Sequence, residues 1–245
     1  MPSREWIEHM TCPLLAGQAE GVMGRYRTHQ TEIVAQLAQL EFEQRYDRLL
    51  RYCFIDVAFT YSAGFKRDLF EQLGGFDTSF TVANNEDTDF SYRFAQAGYR
   101  IAFSPNAVVY HRQNETLYKY YKQKFWRAYW RMVVYRRYPQ KMLRDTYTSQ
   151  SLKIQIILFY LSLASLLTTF IFASRLGGYL ALVLFLLFLG TTIPASLFNS
   201  AYSPTLGFLT PFFFLGRAAI MGLGVMVGAV IAWVMPVPGG SKKGT

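Results

Sequence analysis

Acidic residues are missing from the C-terminal part of this 245-residue chain. All 16 lie between Glu5 and Asp145, and from residue 154 onward the only charges are Arg175, Arg217, Lys242 and Lys243. A stretch so poor in charge excludes a second soluble domain there. Cysteine is scarce as well. Cys12 and Cys53 stand far apart, so the sequence indicates neither a disulfide framework nor a zinc site. Internal repeats and low-complexity tracts are also lacking, which excludes a solenoid.

Apolar length takes the place of charge. Residues 154–173 are uncharged and bracketed by Lys153 and Arg175, and about twenty apolar residues cross a bilayer. Residues 179–198 form a second such stretch with Pro194 near its end, and proline is tolerated in membrane helices. The third stretch, 206–235, is too long for one untilted span and contains Arg217, a charge that costs about 2.5–3.5 kcal/mol at a helix centre. A break is expected there, with an interfacial or re-entrant piece over 206–216 and a span over 218–235. One long tilted helix is the alternative.

The formal net charge of +9 has a definite address: ten Lys or Arg against one acid fall within residues 116–153, just before the first apolar stretch. Cations beside a membrane helix mark the cytoplasmic side and attract anionic headgroups, at about 1 kcal/mol each. That position points to membrane lipids as partners and away from nucleic acid. It also points to a multi-pass protein of the plasma or inner membrane with its polar part cytoplasmic. Residues 118–137 interleave Tyr and Trp with Lys and Arg, which suits a helix at the membrane interface. Either this segment is purely an anchor, or Gln123, Trp126 and Arg127 face a cleft.

The polar part reads as α/β. A strand is expected over 21–27, an amphipathic helix over 31–52, a strand over 54–62 and a short helix over 67–73 closed by Gly74-Gly75. A loop through Ala83-Asn84-Asn85 then leads to a helix over 86–97 with Asn85 as N-cap. Two strands, 100–103 and 107–111, come next, separated by the turn Ser104-Pro105-Asn106.

Glu86-Asp87-Thr88-Asp89 places three carboxylates in a first helical turn, where the helix dipole stabilises negative charge. Acids are common there, and Asp89 with Arg93 is an ordinary i,i+4 pair. The surroundings are more specific. Gly64-Phe65-Lys66-Arg67, Leu73-Gly74-Gly75-Phe76-Asp77, the run from Asn85 through Arg93, Ala97-Gly98-Tyr99-Arg100, and Pro105 with Val108-Val109-Tyr110-His111 occur in this order. Over roughly residues 1–140 the chain resembles glycosyltransferase family 2, inverting enzymes of GT-A fold.

That resemblance implies a partial GT-A fold, its acceptor-side half, over 1–115. Beyond it lie a basic aromatic region (116–153), a membrane region with two to three transmembrane helices (154–235) and a short tail (236–245). The resemblance also implies a nucleotide-sugar donor and a lipid or glycan acceptor. Asp87 maps onto the family's general base. Glu86 and Asp89 are expected to orient the acceptor or brace the loop, and Arg93 to hold Asp89. Gly64 maps near the acceptor pocket, though a turn glycine is the alternative. His111 is a candidate ligand for a divalent metal, Mg or Mn, or else a structural histidine. Processive relatives carry Gln-x-x-Arg-Trp, from which Gln123-Lys124-Phe125-Trp126-Arg127 departs, so a single addition is favoured. The family's donor half ends in Asp-x-Asp, and Pro2 to Glu8 resemble the residues that come directly after that motif, so a truncated form is expected. A non-catalytic acceptor-binding module is the alternative.

Overall fold

A computed structural model of the chain describes residues 1–80 and 84–234. Ala83, Met235, Lys242, Lys243 and the expected tail lie outside them. The elements run α1 (Trp6–Leu15), β1 (Gly21–Arg27), α2 (Ile33–Leu49), β2 (Ala63–Phe65), α3 (Arg67–Gln72), α4 (Glu86–Gln96), β3 (Ile101–Tyr110), α5 (Leu117–Arg137) and α6 (Pro139–Leu143). Three long helices complete the chain: α7 (Gln150–Phe172), α8 (Arg175–Ser200) and α9 (Pro204–Val234).

The sheet order is β2-β1-β3, with β1 antiparallel to β2 and parallel to β3. Phe90 and Phe94 of α4 pack with Met23, Tyr46, Leu49 and Ile101 into a core beside it. Two strand expectations are corrected. Residues 100–103 and 107–111 belong to one strand, because Ser104-Pro105-Asn106 bulges where the register shifts between Met23 and Arg25. Gly24 sits at that shift, where a side chain would begin 2.2 Å from the Ala107 carbonyl. Residues 54–62 are not a strand. Apart from one bridge, Ile55 to Ile101, they run irregularly into a 3₁₀ turn at Thr60–Ser62. Phe59 and Tyr61 pack against the core and form no ladder. The helix α1 was not expected from the sequence.

Among the described residues, α7, α8 and α9 are long and apolar enough to cross a membrane. The expected break at Arg217 is absent, since α9 is continuous over 31 residues, about 46 Å at 1.5 Å per residue. The reason is that Arg217 is not left in lipid. Its guanidinium bonds Glu41 of α2, donates to Gln155 Oε1 at 2.7 Å and lies 3.6 Å from the Phe214 ring.

The helix α5 packs along α9 in the same direction, Tyr121 meeting Phe213 and Arg136 meeting the Ala232 carbonyl. The approach is close because α9 offers glycine. A β-carbon on Gly224 would lie 2.5 Å from the Phe125 carbonyl oxygen.

Candidate active site

The acidic run enters α4 through an unusual turn. Asn85 adopts a left-handed conformation with φ 67°, which Asn tolerates better than most residues. Its side chain does not cap the helix, contrary to expectation. Nδ2 instead donates to the Arg127 carbonyl at 3.3 Å and to Asn84 Oδ1 at 2.9 Å, tying the start of α4 to α5. Ser91, one turn on, donates to the Asp87 carbonyl at 2.7 Å and accepts from the Ala58 N–H at 2.9 Å.

This arrangement presents Asp87 to a polar cavity of about 300 Å³. Asp87 Oδ1 accepts from the Thr88 N–H at 2.7 Å. Burial pushes its carboxyl above the usual range, opposed by the charges of Arg131 and Arg127 and by backbone N–H groups of Thr88 and Thr60. Glu86 lines the same cavity and is also raised, by burial and by the Asp87 charge. Its Oε2 is buried with no hydrogen-bond partner, a site for a donor from a bound molecule.

Gln123 and Arg127 of α5 reach the cavity, as does His111 at the end of β3. The His111 ring stacks on Tyr26 with centroids 4.7 Å apart. Burial and the nearby chain amino group lower its pKa, favouring the neutral imidazole, the form that binds metals. One imidazole is not a metal site, however. No three His, Cys, Asp or Glu side chains among the described residues are placed to hold an ion. The described residues therefore do not by themselves fit a resident metal.

Four expected site residues lie elsewhere. Asp89 is fully buried beneath the cavity, where Arg93 Nε donates to it at 3.0 Å and Arg137 Nη1 at 2.7 Å. Arg93 also donates to the Gly75 carbonyl at 2.7 Å and to the Leu73 carbonyl at 2.5 Å. Both residues brace the Gly-Gly turn and α4 and do not line the cavity. Gly64 pairs with Val22 inside the sheet, and a side chain there would meet Val22 and Met10. Trp126 is 43% exposed and packs edge-on to Phe125 and Tyr129.

Arg131 and Tyr147 complete the cavity wall and were missed. Arg131 follows Arg127 by four residues and so shares its helix face, a signal present in the sequence. Tyr147 lies in the α6–α7 connection, where the sequence carried no signal. Nor is α5 simply an anchor: Lys124, Ala128, Arg131 and Val134 are buried, Val134 among Val57, Phe80 and Tyr92 of the polar part.

A carboxyl raised by burial, a second carboxylate with an unpartnered oxygen and two arginines thus line one polar cavity. Comparison with curated proteins finds no match. The family model for glycosyl transferase family group 2 matches residues 9–233, taking in the cavity and the three long helices alike. The chain belongs to that family and is a glycosyltransferase in the general sense.

Proposed function

We propose that the protein transfers a sugar from a nucleotide-sugar donor to a membrane-associated acceptor by an inverting single displacement. The acceptor is a polyprenyl phosphate, another lipid or a cell-envelope polysaccharide. The observation that carries this reading is the placement of Asp87: a buried carboxylate facing a polar cavity, on a domain packed against apolar helices.

An acceptor hydroxyl, which on a polyprenyl phosphate is the P–OH of the phosphate itself, attacks the anomeric carbon as the bond to the diphosphate breaks. Its proton passes to Asp87, and the electron pair of the broken bond leaves on the diphosphate. Burial makes Asp87 a stronger base than an exposed carboxylate, and the charges of Arg127 and Arg131 oppose that shift by favouring the ionised form. Glu86 accepts a second hydroxyl of the acceptor through its free Oε2. The polar part is assigned to the cytoplasmic face of a cell membrane, supported by the cations before α7.

The test is stereochemical. Membranes containing the enzyme, supplied with α-linked nucleotide sugars, should release a β-linked product by proton NMR of the anomeric signal. An α-linked product would overturn the single displacement.

A further inference from the structure

A second, larger cavity of about 450 Å³ lies where α2 and α5 meet the long helices. Its upper wall is cationic, with Arg45 and Arg48 from α2 and Arg127 and Arg131 from α5. Its lower wall is apolar, with Ile156 of α7, Pro194 of α8, and Met221 and Val225 of α9.

None of these four arginines forms an ion pair with a carboxylate among the described residues. Arg45 and Arg48 are held by one residue instead: Arg45 bonds the Tyr147 hydroxyl and stacks on its ring, and Arg48 donates to its carbonyl at 2.7 Å. Each keeps a buried Nε with no partner. The one carboxylate among the cavity's lining residues, Glu41, is taken up by Lys124 and Arg217, Asp87 and Asp145 act on Arg127 and Arg131 only from beyond ion-pair distance, and burial together with the Arg45 charge lowers the Arg48 pKa. A planar fork of donors matches phosphate oxygens.

We infer that this cavity binds an amphiphile carrying a phosphate or phosphodiester, with the anion on Arg45, Arg48 and Arg131 and the hydrocarbon chain against Ile156, Met221 and Val225. A free phosphate would leave the apolar wall unused, and a neutral lipid would leave the cations unmatched. Arg127, Arg131 and Tyr147 line both cavities. A head group extending past the phosphate therefore brings a hydroxyl toward Asp87. The assignment deepens the proposed transfer reaction by naming its acceptor class, and it rests on that reading.

The test uses the full chain purified in detergent and native mass spectrometry to count retained lipid. The probe is phosphatidylglycerol, an anionic phosphodiester bearing head-group hydroxyls, against phosphatidylcholine with the same acyl chains. Retention of phosphatidylglycerol should exceed that of phosphatidylcholine by about tenfold. Joint Arg45→Gln and Arg48→Gln substitution should remove that preference. Met221→Trp, which fills the apolar slot, should lower retention while leaving both arginines in place. Excess inorganic phosphate should not displace the lipid.

Equal retention of the two lipids, full displacement by inorganic phosphate, or unchanged binding in the arginine variant would each overturn the inference. Should the arginine pair fail to fold, Met221→Trp decides alone: unchanged retention overturns the inference, loss supports it. Asp87→Asn should retain phosphatidylglycerol as wild type does. Failed lipid binding with transfer still dependent on Asp87 would remove the lipid site and leave the transfer reading standing.

Discussion

At the scale of single residues, Asp87 differs from Asp89 in facing the cavity without an ion-pair partner among the described residues. Its folded pKa lies above the unfolded value, so the folded state favours the proton and the buried charge weakens the fold once pH rises past that window. Asp87→Asn should then unfold no earlier than wild type at neutral pH, as read by thermal melting in detergent. In wild type, kcat/KM should fall as pH drops through an apparent pKa above 3.8, the ordinary aspartate value, because the base works only when ionised. Asp89 is held by ion pairs. It partners Arg93 and Arg137 with almost no exposure, and removing one member of a buried charge cluster costs about 3–5 kcal/mol. Asp89→Ala should therefore lower the melting temperature sharply. Asn85→Val should weaken transfer, because a β-branched residue at φ 67° is strained by about 1–3 kcal/mol. Asn85→Gly should keep the turn and more of the activity.

At the scale of elements, the union of α5 with α9 is the feature that the sequence concealed. The alternation of aromatic and basic residues in α5 fits a membrane interface equally well, and only the glycines of α9 hint at a close neighbour. Gly224→Val should force α5 away from α9, since the added carbons would enter the space of the Phe125 carbonyl. The expected result is loss of thermal stability together with weaker transfer, because α5 carries Arg127 and Arg131 into the cavity. The helices α2, α3, α4 and α7 and the strand β1 were legible from periodicity and glycine stops. The 54–62 segment was not, since β-branched and aromatic residues mark core burial as readily as strand pairing. Arg217 misled for a related reason: the cost of a charge in a membrane helix depends on a partner, and Glu41 lies 176 residues away in sequence.

At the scale of the whole molecule, Glu41 joins the polar part to the long apolar helices. Its carboxylate bonds Arg217 of α9, accepts from Lys124 of α5 at 2.5 Å and accepts from Tyr120 at 2.8 Å. Burial would raise its pKa, but the two cations and two hydrogen bonds outweigh burial and hold it well below the carboxylate range. The stability it supplies is present above its unfolded pKa of about 4.5 and is lost as pH falls. Glu41→Gln should cost about 3–5 kcal/mol by leaving two buried cations short of a counter-ion, seen as a lower melting temperature in detergent. In the candidate site, Asp87, Glu86, Gln123, Arg127 and His111 were legible from motif and family resemblance. Tyr147 was not, because it reaches the cavity from the connection between α6 and α7.

The central claim is that Asp87 is the base that activates the acceptor. The most direct measurement compares single-turnover transfer by wild type and Asp87→Asn with nucleotide-sugar binding followed in the same samples. A loss of about 10²-fold or more in the chemical step, with donor affinity unchanged, is the expected result. Transfer by Asp87→Asn at the wild-type rate would contradict it.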